Sequence, residues 1–259
     1  MRVPALLRSL PEYGAMMLST KRAVEAISTD GHGLADAAEG NFAADVACCP
    51  GWNVSDLVWH IREVHYFWAS IVAGLVTDPN TVPEIARPES EAELLADYRQ
   101  GVGRLVSVLG TADQTAALWT WSHQKDVAFV TRHQVQEAAV HRWDAETAAS
   151  REFEIEPDLA ADSVDEFLEH STPSRNDDAQ PLAGTLHLHA TDALGEWLVG
   201  EDEKGQLQVE RGHHKGDAVL RASASDLLLM LYRRIGTDRG EIMGDAGVVD
   251  RFLARTNLD

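Results

Sequence analysis

The sequence predicts an α+β protein, with a helical first half and a smaller second half that contains an antiparallel sheet. Apolar residues recur every three or four positions before residue 150, whereas they alternate in the manner of strands after residue 180. At 259 residues the chain exceeds the usual length of one compact domain, so two packed domains are expected.

Amphipathic helices account for the first half. Gly31 and Gly33 weaken the helical pattern in the middle of the first helix. Asn53 or Ser55 can cap the second, because a short polar side chain at that position accepts a hydrogen bond from the first turn. Together the segments predict a four-helix bundle, with helices over about 20–39, 54–76, 91–109 and 127–149.

The second half changes to a period of two. In the first predicted strand, Leu186, Leu188 and Ala190 share one face, whereas His187 and His189 share the other. Polar, glycine-containing turns separate the strands, which favours an antiparallel arrangement. The predicted strands are 185–190, 196–199, 206–210 and 217–222, followed by helices over about 227–234, capped by Ser223 or Ser225, and from Asp245 to about 256.

The domain boundary is predicted after residue 155. Pro157, Pro173 and the polar stretch 174–180 interrupt the periodic pattern there. The first domain is therefore expected over 1–155, with its ordered core at about 20–150, and the second over 156–259.

Charge excludes two classes of partner. The 42 acidic residues outnumber the 22 basic ones, which leaves a formal net charge of −20. Such a chain repels phosphate backbones and anionic lipid surfaces, so neither a nucleic acid nor a membrane is an expected partner. No apolar run approaches the roughly 18 residues that a membrane-spanning helix needs.

Location and redox state follow from the N-terminus and the cysteines. Arg8, Pro11 and Glu12 interrupt the apolar start before a secretory signal can form. Cys48 and Cys49 are adjacent, a spacing that permits a disulfide only in a strained geometry. A cytoplasmic protein without disulfides is expected, with small buried thiols at these two positions.

The fourth predicted helix carries the most informative polar residues. His133, Glu137 and His141 are spaced four apart, so they share one helical face. Eight residues at about 1.5 Å each separate the outer two by roughly 12 Å, too far for one metal ion. Glu137 with His141 is the favoured pair, with His60 or His65 of the second helix as a third ligand; the alternative is an ordinary surface pair.

Two motifs carry a family resemblance. The run CPGWNVSDL at 49–57 followed by Trp59 and His60, and the later Glu137-x-x-x-His141 followed by Asp144, are similar to signatures of the mycothiol-dependent maleylpyruvate isomerase-like family. This family is a branch of the DinB-like metalloenzyme superfamily. The segment 227–234 and the dipeptide at 244–245 resemble its C-terminal α/β domain more weakly.

The resemblance implies a DinB-like four-helix bundle in which His60, Glu137 and His141 hold a divalent metal, usually zinc. It also implies mycothiol as the thiol cosubstrate. Arg234, with Arg233 as the alternative register, is implied as the catalytic cation that binds the carboxylate of the substrate. The alternative is a charge at the C-terminus of a helix that opposes the helix dipole. Two imidazoles and one carboxylate leave zinc open to another ligand, as catalytic sites require.

These features predict a zinc-dependent enzyme that activates a low-molecular-weight thiol for cis–trans isomerisation or S-transfer on a small electrophilic acid. Its partners would be the thiol and the electrophile, and the chain would be a monomer or weak dimer. The alternative is a non-catalytic metal-binding or regulatory module, in which His65 or Asp144 completes a closed coordination shell.

Asp144 and the remaining histidines have no single role that the sequence indicates. Asp144 either orients the imidazole of His141 or is a helix-end charge. His133 is expected on the pocket wall or the surface. The remaining histidines without a recognisable partner pattern are expected to be solvated, namely His123, His187, His189, His213 and His214.

Overall fold

The computed structural model describes residues 18–170 and 180–256. A helical bundle is followed by a sheet with three further helices, which confirms the predicted α+β class. The predictions for 1–17, 171–179 and 257–259 lie outside the described residues. The helices are α1 (Thr20–Ala38), α2 (Val54–Gly74), α3 (Glu91–Thr111), α4 (Val127–Ala148), α5 (Pro157–His170), α6 (Ala224–Leu231) and α7 (Ala246–Arg255).

The bundle consists of α1 to α4, which pack against one another in pairs. Asn53 begins α2 with a capping box: its side chain accepts from Asp56 N, and its own N–H donates to the Asp56 carboxylate. The first helix is unbroken across Gly31. A Cβ at that position would lie 2.9 Å from the γ carbons of Val102, so the glycine permits α1 to approach α3 closely.

The sheet of the second half has five strands in the order β3-β2-β1-β4-β5. Neighbouring strands are antiparallel except for β1 and β4. Strand β4 lies on the side of β1 opposite to β2 and runs parallel to β1. The strands are β1 (Leu186–Ala190), β2 (Glu196–Glu201), β3 (Leu207–Arg211), β4 (Ala218–Ala222) and β5 (Glu241–Gly244).

Two elements differ from the prediction. Helix α5 occupies a stretch that the sequence pattern treated as a boundary, because Pro157 stands at the first helical position, where its missing N–H costs nothing. Strand β5 has a single partly buried apolar residue, Ile242, among exposed neighbours, and so shows little periodicity. Its pairing with β4 creates the strand.

In the part of the chain that the structure describes, one of the two hydrophobic clusters spans both halves, and the other lies within the bundle. Phe129 of α4, Phe167 of α5 and Leu227 of α6 belong to the same buried cluster, which continues into the sheet. The connection between the halves is also fixed, since Ile155 is buried and its N–H donates to Ser225 Oγ over 3.1 Å. Within 18–170 and 180–256, no helix is both long and apolar enough to cross a membrane.

A buried carboxylate joins the bundle to the sheet. Asp165 of α5 accepts hydrogen bonds from Trp197 Nε1 in β2 at 2.8 Å and from the Arg211 guanidinium in β3. Arg132 of α4 donates to the same carboxylate over 2.8 Å. One anion therefore satisfies donors from three elements.

Replacing this anion is expected to destabilise the fold. Asp165→Ala leaves the Arg132 side chain, only 9% exposed, without one of its charge partners. The free energy of unfolding should fall by about 3 kcal/mol, the usual cost of removing one partner of a buried pair. Asp158 lies on the same helix as Asp165 and is the half-exposed partner of Arg22 in α1. Asp158→Ala should therefore lower the free energy of unfolding by about 1 kcal/mol or less. Guanidinium denaturation measures both; equal losses would contradict the assignment.

Candidate metal centre

Helices α2 and α4 bring the three proposed metal ligands together. His60, Glu137 and His141 each offer one ligand atom, and these atoms all lie within 4.8 Å of one another. The rings of His60 and His141 meet edge to face, with centroids 5.4 Å apart. All three residues are intermediate in burial, neither enclosed by the core nor on the open surface.

The spacing on α4 has the predicted effect. Glu137 lies between two histidines of its own helix: His141 Nε2 is 3.5 Å from Oε2, and His133 Nε2 is 3.5 Å from Oε1. The other nitrogen of His133 is turned away, 3.1 Å from Glu166 Oε1 on α5. His133 therefore forms a wall beside the group. Glu166, which no sequence motif singles out, belongs to that wall.

His65 lies away from the group. Its buried ring stacks on Tyr98 of α3, with ring centroids 5.6 Å apart. Of the two histidines on α2 that the sequence offered as a third ligand, the structure brings His60 to Glu137 and His141.

Asp144 connects His141 to Arg234. The buried carboxylate lies one turn beyond His141, and its Oδ2 is 2.9 Å from His141 Nδ1. Arg234 donates to it from Nε over 3.1 Å and from Nη2 over 2.8 Å, the two-point geometry typical of a strong pair. Its neighbour Arg233 instead donates to Thr256 at the end of α7, so Arg234 is the arginine that faces the group.

The charges of this network reinforce one another. Burial disfavours ionisation of Glu137, but its contact with His141 and the charges of His141 and His133 outweigh burial and lower its pKa to about 2. Burial also opposes protonation of His141, but Asp144 and Glu137 outweigh it and raise the pKa to about 9. The pKa of Asp144 is lowered because His141 and Arg234 together overcome its burial.

This donor set fits a divalent metal ion. Glu137 Oε2 is buried, yet it accepts no hydrogen bond from any described residue, as expected for an oxygen that faces a cation. Asp144 accepts the Nδ1 proton of His141, which leaves Nε2 as the ligand atom. Among the described residues, the group contains three protein ligands and no fourth, the pattern of an open metal site.

Two thiols border the network. The expectation of small buried side chains is only partly met, since both cysteines are intermediate in burial. Cys48 Sγ donates to Asp144 Oδ1 over 3.0 Å. When the same S–H turns to Cys49 instead, its hydrogen bond lowers the pKa of Cys49 to about 7, against the opposing effects of burial and Asp144 and with the support of Arg234 and His141.

A second group of possible metal ligands, not expected from the sequence, lies on the sheet. His187, His189 and His213 gather around Glu196 on the sheet. The expectation of a solvated side chain is wrong for His187, which is buried, whereas His213 is 80% exposed. The alternation that placed His187 and His189 on one face was visible in the sequence. The strand pairing that brings Glu196 beside them was not.

Two family models match the chain in succession. The model described as the mycothiol maleylpyruvate isomerase N-terminal domain matches residues 24–146. The model described as the MDMPI C-terminal domain, where MDMPI abbreviates the same enzyme name, matches residues 158–251. The chain belongs to the mycothiol-dependent maleylpyruvate isomerase-like family. Both models match in the order in which the sequence motifs predicted them.

Solved structures of this family share the fold. A crystal structure of the mycothiol-dependent maleylpyruvate isomerase has a TM-score of 0.55 and 13% sequence identity, and covers 88% of this chain and 95% of its own. A histidine-to-alanine mutant of that isomerase has a TM-score of 0.57, 12% identity and the same coverage. No curated protein matches the chain significantly by sequence.

The two thiols should differ in reactivity. In Cys48→Ala, the alkylation rate of Cys49 should reach half its maximum at a higher pH than in the parent protein, where the midpoint is expected near 7. The reason is that the thiolate is the reactive form and Cys48 stabilises it. Iodoacetamide rates followed by mass spectrometry give both profiles. Cys49→Ala is the matched control: burial and Asp144 still raise the pKa of Cys48 after Cys49 is removed, so alkylation of the remaining thiol should stay slow at neutral pH. An unchanged profile in Cys48→Ala would contradict the assignment.

Proposed function

We propose that this chain is a metal-dependent enzyme in which His60, Glu137 and His141 hold a divalent ion, zinc, that activates mycothiol. The activated thiol would react with a small electrophilic acid, by cis–trans isomerisation or by S-transfer. The observation that carries the proposal is the convergence of two imidazoles and one carboxylate, with no fourth protein ligand among the described residues. Family membership supports the choice of mycothiol.

The chain's own residues would prepare the ion and its ligands. His60 is held against Trp52, with ring centroids 5.0 Å apart, which restricts the imidazole to the side that faces α4. Asp144 fixes the tautomer and the direction of His141, and Arg234 keeps Asp144 ionised. A divalent ion in this position would lower the pKa of a bound thiol, so that the thiol is present as thiolate near neutral pH.

Isomerisation requires addition, rotation and elimination. The thiolate sulfur forms a bond to one carbon of a cis double bond conjugated to a carbonyl, and the electron pair moves onto the carbonyl oxygen. Rotation about the resulting single bond is followed by cleavage of the carbon–sulfur bond, which restores the double bond as trans and releases the thiolate. S-transfer would differ in retaining the carbon–sulfur bond and taking up a proton.

Arg234 would bind the carboxylate of the substrate. A guanidinium has five N–H donors. In Arg234, two N–H groups donate to Asp144 and one donates to Tyr232 O, which leaves two N–H groups for another acceptor. In a chain of net charge −20, this buried cation would also offset the repulsion that an anionic substrate meets.

The rival proposal of a non-catalytic module needs a closed coordination shell. Asp144 is engaged by His141 and Arg234 instead of pointing to Glu137, and His65 packs against Tyr98. Neither residue is therefore in place to supply the fourth ligand. This favours an open, catalytic site over a closed, structural one.

Metal binding tests the ligand set. His60→Ala, Glu137→Ala and His141→Ala should each lower the zinc content of protein purified without chelator by about one equivalent, since three ligands are the minimum of an open zinc site. Elemental analysis of untagged protein measures the loss. His123→Ala, at a side chain 64% exposed, is the matched control and should keep its zinc. Protein that carries no metal, or undiminished zinc in all three variants, would refute the proposal.

The role of Arg234 is separable from metal binding. Arg234→Lys keeps the charge but loses the forked geometry, so the KM for an acidic electrophile should rise at least about tenfold, the loss of one charged hydrogen bond, with zinc content unchanged. The KM for the neutral amide of the same electrophile should not change, and neither KM should change in the control Arg233→Lys. Equal effects on acid and amide would contradict carboxylate binding.

Reaction type follows from the same assay. With mycothiol and a cis-configured unsaturated acid, an isomerase should form the trans isomer without net loss of thiol, because elimination returns the thiolate. Consumption of thiol in proportion to product would instead support S-transfer. Thiol titration and product chromatography, run on parent protein and on His141→Ala, separate the two.

A further inference from the structure

The C-terminal sheet carries its own group of metal-binding side chains. His187 and His189 belong to β1, Glu196 begins β2, and His213 follows the end of β3. One ligand atom from each of the four lies within 4.8 Å of the other three. None of these residues takes part in the centre between α2 and α4.

Strand register creates the group. His187 and His189 are two residues apart, so their side chains leave β1 on the same face, opposite to Leu186 and Leu188 in the core. His189 is the direct partner of Glu196 across the antiparallel pair β1–β2. Side chains of directly opposed residues lie on one face, which brings the carboxylate between the two imidazoles.

Three imidazoles converge on one oxygen. Glu196 Oε2 is 2.9 Å from His187 Nε2, 3.3 Å from His189 Nδ1 and 2.6 Å from His213 Nδ1. In a tetrahedral zinc site with bonds of about 2.0 Å, ligand atoms are separated by roughly 3.3 Å. The three measured distances differ from this separation by at most about 0.7 Å, and no two of the four ligand atoms are more than 4.8 Å apart, so small side-chain movements would let them surround an ion.

The chain after β3 is held against this face. Gly212 N donates to Glu196 O over 2.9 Å, which anchors the segment beside the carboxylate. At its other end, a Cβ on Gly216 would lie 2.9 Å from His187 N and 3.2 Å from His187 Cβ, so the backbone passes directly over that histidine. His187 is consequently buried, and His213 forms the exposed rim.

We propose that His187, His189, Glu196 and His213 form a second metal site, which binds a divalent first-row ion of the zinc type and fastens the β3–β4 connection onto the β1–β2 hairpin. Three imidazoles and one carboxylate are the ligands that zinc favours, and four protein ligands in a tetrahedral shell are typical of a structural site. The inference stands independently of the proposed enzymatic function, because the two sites share no residue.

The test uses zinc alone as the probe and removes the first site in advance. Untagged full-length His141→Ala, stripped of metal, is titrated with zinc by calorimetry, and the same titration is repeated after adding His213→Ala or His214→Ala. His213 is 80% exposed, so its replacement should leave the fold intact. His214 is the matched control, the adjacent histidine of the same segment and no member of the group.

The site is supported if the background protein binds about one zinc, as a four-ligand site requires, and His213→Ala weakens this binding at least about tenfold while His214→Ala does not. Zinc should also raise the Tm of the background protein and of the His214→Ala variant, but much less that of the His213→Ala variant. Identical titrations for the two variants, or no zinc bound to the background protein, would overturn the proposal. Zinc content of the parent compared with His141→Ala reports separately on the first site.

Discussion

The buried carboxylate of Asp144 is the constraint on which the candidate centre depends. An ion enclosed by protein must be compensated by charges and hydrogen bonds. Asp144 obtains both from His141 on its own helix and from Arg234, three residues beyond the end of α6. The same interactions give His141 a fixed ring orientation and keep Arg234 in one position. A single side chain therefore aligns a proposed ligand of the bundle with a proposed anion-binding group from the second half.

Much of this arrangement could be predicted from the sequence. Helical periodicity located all four helices of the bundle, and the four-residue spacing of Glu137 and His141 required that they share a face. The family motifs then selected His60 over His65, a choice that spacing within α2 alone left open. Local rules sufficed here because the relevant residues belong to long, regular helices, where sequence separation fixes direction.

The remainder depended on contacts between distant segments. Nothing in the sequence placed Arg234 beside Asp144, because ninety residues separate them and only the packing of the two halves joins them. Strand β5 forms because it pairs with β4. The group around Glu196 forms because the β1–β2 register places Glu196 opposite His189. Helix α5 differs from the prediction for a local reason. A proline predicts a break in a helix, but it is also favoured at the first helical position, where Pro157 lies.

The continuous core has a consequence for motion. Enzymes built from two halves often capture substrate by a hinge in the connecting chain, but here Ile155 of that connection is itself buried and anchored to Ser225. Swinging the halves apart would expose apolar side chains of α4, α5 and α6 together. A hinge between the halves is therefore disfavoured, and if the proposed site takes up small molecules, we expect access to depend on rotamer changes and short loops.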